Sequence, residues 1–233
     1  MKQFLKHIGW ALVLVLLLPA CSKGDFEVDR QWTADRYGET SDDAGFAIGT
    51  LRSRDGVRFI RLDGVTCSQV MNAKEVQDIS DGTRVFLQYR YVVAPKVDVA
   101  EFCADAILVE WASPLDVGEI RYDMMAKACD PVDIVTDWMT SLEDGFLTLH
   151  YSIPASGSVK HDFSLYPGAE PNTYRLVHDA HGDFKGTQAD GLVCFDVASL
   201  LPETGDEAVE LSLDYIDLQN TDKRLTVEYR SPK

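Results

Sequence analysis

Apolar residues recur at every second position through most of the chain, the spacing at which successive side chains point to opposite faces of a β-strand. In the first half this alternation predicts strands at Gly45–Leu51, Val57–Leu62, Arg84–Val93 and Ala106–Trp111. Arg54-Asp55-Gly56 forms a tight turn between the first two, because Asp-Gly accepts the positive φ that a hairpin needs. A second turn, Asp81-Gly82, precedes the third strand, in which Val85, Leu87 and Tyr89 share one face. Residues Ala73–Ile79 read as a short helix or turn, and Ser113-Pro114 and Gly118 then break the pattern. The second half predicts strands at Gly145–Ile153, Val159–Tyr166, Thr173–His178, Leu192–Val197, Val209–Leu218 and Arg224–Tyr229. Their links are turn-rich: PASGS (154–158), PGAEPN (167–172), HGDFKG (181–186) and QNTDK (219–223). The other helical candidate is Asp130–Ser141, with Pro131 tolerable in its first turn. Short strands separated by turn signals predict an all-β chain: a small OB-like barrel over residues 44–115, then a β-sandwich over 116–233.

The first twenty residues break the alternation. Lys2 and Lys6 give a positive start, Ala11–Leu18 form an unbroken apolar run, and Pro19-Ala20 close it, the three parts of a secretory signal. The run is too short to cross a bilayer as a helix, which takes about 20 apolar residues. Leu18-Pro19-Ala20-Cys21 resembles the lipobox cut by the lipoprotein signal peptidase, with Pro19 the one departure. The expectation is a cleaved lipoprotein signal peptide (1–20) and a Cys21 carrying acyl chains such as palmitate. More than one chain anchors stably, at about 0.8 kcal/mol per buried methylene. The alternative is an ordinary signal peptide with a cysteine nearby. Residues 21–43 are polar and acidic without a sustained period, and read as a flexible tether. The location expected is the bacterial cell envelope, as an outer-membrane lipoprotein. SKGDFEVD (22–29) loosely matches the acidic surface-export signals of Bacteroidetes, so cell surface and periplasm both stay open.

Charge narrows the partners. Cleavage removes two of the 22 basic residues and none of the 38 acidic ones, which leaves a mature net charge of −18. Such a surface repels nucleic acid and anionic lipid at long range. Four cysteines remain besides Cys21: Cys67, Cys103, Cys129 and Cys194. They allow three pairings, and an exported protein meets conditions that permit them. Cys67–Cys103 and Cys129–Cys194 would each stay within one domain; four buried thiols is the equal alternative, since all four sit beside apolar residues. None has metal-ligand spacing.

Three groups carry candidate chemistry. Arg52, Arg54, Arg58 and Arg61 cluster around the first hairpin of an acidic chain, in a region that often forms part of a barrel's ligand face. They read either as an anion-binding patch, for an acidic glycan or a partner's carboxylates, or as a solvated hairpin whose charges guard an edge, which is preferred. His178, Asp179, His181 and Asp183 could ligate a transition metal, yet Asp179–Gly182 reads better as a turn between strands. His150 and His161 are expected to face each other across PASGS. Trp111 and Trp138 read as core or domain-interface aromatics in preference to a sugar platform. GxSxG is absent, and Ser156 has no base that the sequence identifies.

The order of features resembles the NigD-like lipoproteins of Bacteroides and relatives. The resemblance rests on DGTRVFLQYRYV (81–92) in the barrel, and on GFLTLHYSI (145–153), YRLVHDAHGD (174–183) and GLVCFDVASLLP (191–202) in the sandwich. It implies the lipobox, short arm, OB-like barrel and C-terminal sandwich in that order over nearly all the mature chain, and brings no established activity with it. The function expected is non-enzymatic and cofactor-free: a membrane-anchored lipoprotein that binds an envelope protein or glycan, with a bacteriocin-associated accessory or immunity-like role as one version. The alternatives are a metal-dependent hydrolase using His178 and His181, and a purely structural envelope component.

Overall fold

The period-two stretches become sixteen strands and two short 3-10 turns among the residues that the computed structural model describes, 35–65, 67–123, 129–201 and 207–229. The first six strands are β1 (Gly38–Thr40), β2 (Gly45–Arg54), β3 (Val57–Leu62), β4 (Cys67–Val70), β5 (Arg84–Pro95) and β6 (Asp105–Pro114). They pair in the order β1-β5-β2-β3-β4-β6, and a further β5–β6 pairing closes β2, β3, β4, β6 and β5 into a five-stranded barrel. The β4–β6 pair is parallel and the other barrel pairs are antiparallel, which is the OB topology. A register shift at Gln88/Tyr89 bends β5 enough to close the ring. The inward positions, among them Leu51, Ile60, Leu62, Val85, Leu87, Ile107 and Val109, fill the barrel, and Val76 from the turn Ala73–Val76 closes one end. The hairpin at Asp55-Gly56 forms as expected, with φ of 52° and 80°.

Ten strands follow: β7 (Asp116–Val117), β8 (Glu119–Ile120), β9 (Asp133–Val135), β10 (Ser141–Glu143), β11 (Phe146–Ala155), β12 (Asp162–Pro167), β13 (Thr173–Asp179), β14 (Thr187–Asp196), β15 (Val209–Ile216) and β16 (Asp222–Tyr229). One sheet runs β10-β11-β14-β7, with β9 also on β11; the other runs β16-β15-β13-β12-β8. Their facing sides, including Leu147, Leu149, Phe163, Leu165, Leu176, Phe195, Leu211 and Leu213, form the sandwich core. Gly118 lets the chain pass from one sheet to the other between β7 and β8. A Cβ there would lie 2.2 Å from the Phe195 ring, so no larger residue fits without displacement.

Three expectations fail. Asp130–Ser141 is not a helix: Val132 is fully buried, its amide donates to the Ile216 carbonyl, and Asp133–Val135 pairs with β11. Tertiary pairing outweighs the local helical pattern. PASGS is not a hairpin turn, because β11 and β12 belong to different sheets; His150 pairs with Val135 and Leu192 and does not face His161. The last residues of the expected tether are not a free arm, since Gly38–Thr40 pairs with β5.

Candidate functional site

The outward residues of β2 and β5 would face solvent in an isolated barrel, yet Ile48 and Thr50 are 1% and 0% exposed. The sandwich covers them. At the centre of this junction lies Arg84, whose side chain is fully buried. It donates to the Asp63 carboxylate, to Thr50 Oγ1 (3.3 Å) and to Thr148 Oγ1 of β11 (3.3 Å), with its guanidinium over the Phe146 ring. Asp63 Oδ2 also accepts from Ser141 Oγ of β10 (2.7 Å). A buried charge persists only when paired and hydrogen-bonded, and here both domains supply the partners.

A second ionic contact borders the first. Asp144, in the tight turn between β10 and β11 (φ 50°), accepts from Arg52 Nη2 at 2.9 Å and pairs with Arg61 Nη1 at 2.9 Å. The other two arginines of the hairpin lie elsewhere. Arg58 donates to Ser53 Oγ and to the carbonyls of Val76 and Ile79, and Arg54 stacks over Phe102 at 4.9 Å. The four do not form one pocket: two hold a carboxylate of this same chain, one braces the turn after β4, and one covers an aromatic ring.

Beside Arg84 the junction rises to a cluster of aromatic rings. Phe86 of β5 lies 6.2 Å from Phe46 of β2, 5.4 Å from Trp111 of β6 and 6.3 Å from Trp138 of the sandwich. Phe46 and Trp138 are 52% and 55% exposed. Trp111 Nε1 donates to Gln88 Oε1 (2.7 Å), which fixes that ring. Trp138 sits on a stiff turn between β9 and β10: Asp137 Oδ1 accepts from the Met139 amide, Asp137 Oδ2 lies 2.9 Å from His150 Nδ1, and Thr140 Oγ1 donates to the Val135 carbonyl. Trp138 meets the barrel through Phe86, with half of its own surface left open, whereas Trp111 packs on barrel residues.

The histidines take separate roles. His178 is buried, and its Nδ1 is 3.0 Å from the Pro131 carbonyl. A carbonyl only accepts, so Nδ1 carries the proton and Nε2 accepts from His161 Nδ1 at 2.9 Å. Burial pushes the pKa of His178 down. Asp183 accepts from the Ser156 hydroxyl and amide, which hold its carboxyl below the usual range, and lies 3.6 Å from His161 Nε2. His181 stands in the turn (φ 49°), and its hydrogen bond to Asp162 raises its pKa. Both nitrogens of His178 are engaged away from His181, and no group of three or more metal-ligating side chains occurs among the described residues. A cleft of about 340 Å³ opens beside His161 where β7 and β8 part, with Lys160 and Asp116 paired at its rim.

The cysteines divide in the same way. Cys67 and Cys103 bring their sulfurs to 2.6 Å. Cys129 donates to the Leu176 carbonyl beside β13, whereas Cys194 is buried on β14 in the opposite sheet, and the structure does not bring these two together. Cys21 lies outside the described residues. The side chains that the alternation alone did not single out are Asp63, Arg84, Phe86 and Asp144. The signal available for Arg84 was a charge at a strand position beside a turn.

Comparison with known proteins supports this architecture. Residues 120–229 match the NigD-like C-terminal beta sandwich domain. Similar solved structures include a protein described as toxin-related from Parabacteroides distasonis (22% identity, 81% of this chain and 94% of that one, TM-score 0.65). Another is a NigD-like immunity protein from Bacteroides caccae (16%, 82% and 99%, TM-score 0.54). A third is a protein described as a lipoprotein from Bacteroides fragilis (9%, 82% and 100%, TM-score 0.58). At these identities the likeness is one of fold. No curated protein matches the chain. Residues 120–229 are thus similar to the NigD-like C-terminal sandwich, and they follow a closed OB-like barrel.

Proposed function

We propose that this protein is a lipid-anchored envelope lipoprotein that binds a protein partner through the aromatic face formed by Phe46, Phe86, Trp111 and Trp138, in an accessory or immunity-like role and without catalysis. The observation that carries the reading is the construction of that face from both domains across a buried ionic junction. Large aromatic rings held rigid and half-open are the side chains that most often anchor protein interfaces, and fixing them beforehand lowers the entropy cost of binding. The lipobox-like Leu18–Cys21 supplies the anchor. A NigD-like immunity protein and a protein described as a lipoprotein share the fold, which fits a role at the envelope beside a protein partner.

The test places a photo-cross-linking residue at position 46 or 138 of the full chain in intact cells, with a control at Val97 on the exposed loop after β5. One protein adduct, obtained at 46 and 138 but not at 97, and lost from 46 in Trp138→Ala and from 138 in Phe46→Ala, supports the reading. Equal adducts at all three positions, or adducts that survive these substitutions, refute it. A glycan adduct at 46 and 138 assigns the face to carbohydrate instead.

A further inference from the structure

In OB barrels the face of the second and third strands, flanked by the loop between the first two strands and the loop between the last two, is the usual ligand surface. Here that face is β3–β4, with the Asp55-Gly56 turn and the loop 96–104 on either side. The loop does not stand away from the barrel. Its Ala104 amide donates to the Cys67 carbonyl (2.9 Å) and its Ala100 amide to Gln69 Oε1 (2.7 Å). Phe102 packs edge-on against Phe59 of β3 at 5.2 Å, and Arg54 from the opposite turn lies over the outer side of Phe102. The Cys67 and Cys103 sulfurs meet at 2.6 Å beneath it. That separation is closer than unbonded sulfurs rest, and a disulfide spans about 2.05 Å.

We infer that Cys67 and Cys103 form a disulfide in the exported protein, and that this bond straps the loop 96–104 across the β3–β4 face so that the barrel caps its own ligand surface. The bond forms by exchange. The thiolate of one cysteine attacks a disulfide of a thiol-oxidising envelope protein and releases one of that protein's thiols, and the second cysteine then displaces the other. Two thiols here become one S–S bond, and their two protons and two electrons pass to the oxidant, whose disulfide becomes two thiols. Burial pushes the Cys67 thiol up to about 12 and raises Cys103 as well, so the folded pair holds little thiolate at neutral pH and the exchange takes place while the chain folds and the thiols are still exposed. Cys67 and Cys103 have their sulfurs together, whereas Cys129 lies beside β13 and Cys194 is on β14 in the opposite sheet. The inference does not depend on the aromatic face at the junction.

The full lipoprotein is alkylated in intact cells at harvest, purified from membranes in detergent, alkylated again after denaturation so that the buried Cys194 is reached, and digested with trypsin without reduction. The expected product is the peptide 62–74 linked to the peptide 97–121 and separated by reductant, with Cys129 and Cys194 alkylated. Alkylated Cys67 and Cys103 in amounts equal to Cys129 and Cys194 would overturn the bond. Hydrogen exchange of the purified protein before and after reduction tests the strap. Reduction should raise exchange of the 97–104 amides about tenfold or more while the sandwich amides hold, as should Cys67→Ser/Cys103→Ser. An intact bond whose reduction leaves those amides unchanged would overturn the strap.

Discussion

Arg84→Met removes the charge at the junction and keeps most of the side-chain volume. The substitution deletes three donated hydrogen bonds, to Asp63, Thr50 and Thr148. It leaves the Asp63 carboxylate with only the Ser141 hydroxyl on Oδ2, while Oδ1 is buried and has no partner even in the wild type. Breaking one side of a buried ion pair costs about 3–5 kcal/mol, against about 1.5–3 kcal/mol for a single hydrogen bond to a charged group. Arg84→Met should therefore cost about 3–5 kcal/mol, and Thr148→Val about 1.5 kcal/mol. Arg84→Met/Asp63→Leu, which removes both charges, should recover most of the loss, because the penalty lies in the uncompensated carboxylate. Urea unfolding at pH 7, followed by tryptophan fluorescence and circular dichroism, gives the stabilities. Since Arg84 and Asp63 bond Thr148 and Ser141 of the sandwich, Arg84→Met should also split the transition into barrel and sandwich steps. A loss below about 1 kcal/mol with a single transition, or a double variant no better than Arg84→Met, would refute the reasoning.

The remaining expectations address other elements. Gly118→Ala should cost about 3 kcal/mol by thermal unfolding, because the added methyl meets the Phe195 ring at 2.2 Å inside the core. Asp144→Asn should cost about 1 kcal/mol, and the loss should shrink in high salt, since Arg52 and Arg61 are partly exposed. His178 is buried with its pKa below the ordinary 6.5; the unfolded chain then binds the proton more readily, so the stability this residue contributes is present above pH 6.5 and lost as pH falls through the folded value. The urea midpoint should fall below pH 6.5, and less steeply in His178→Phe; His181, raised by Asp162, works in the opposite direction. For the anchor, mass spectrometry of the mature N-terminus should find residues 1–20 absent and Cys21 acylated, and Cys21→Ala should leave the membrane fraction.

Ten of the strands were legible in the alternation because each runs long enough to repeat it several times. Those it missed, such as β4, β7, β8 and β10, are two to four residues long and show at most two turns of the pattern. They exist because a longer strand offers them an edge, which is a property of the fold and not of the segment. The site was hidden for a related reason. Phe46 and Phe86 look like ordinary outward strand residues, and only the β2–β5 register, with Phe46 opposite Gln88 and Ile48 opposite Phe86, makes neighbours of them. Arg52 and Arg61 were visible as a basic hairpin, but the carboxylate they hold belongs to Asp144, far along the chain and in the other domain. Sequence spacing finds charges that share a hairpin; it does not find the counter-charge that folding delivers to them.

The elements strung along β5 explain why the two domains need to be held together. At its C-terminal end β1 pairs with Ala94 and Pro95. Its first residue, Arg84, holds the sandwich. Twelve residues at about 3.3 Å each separate these points by up to about 36 Å. The aromatic face occupies the Arg84 end, with Phe86 two residues from the buried pair. The face is continuous only while Trp138 of the sandwich stays beside Phe86 of the barrel. In the proposed function Arg84 and Asp63 act through that alignment, without touching the partner, and a hinge at the junction would separate the rings before either domain unfolds.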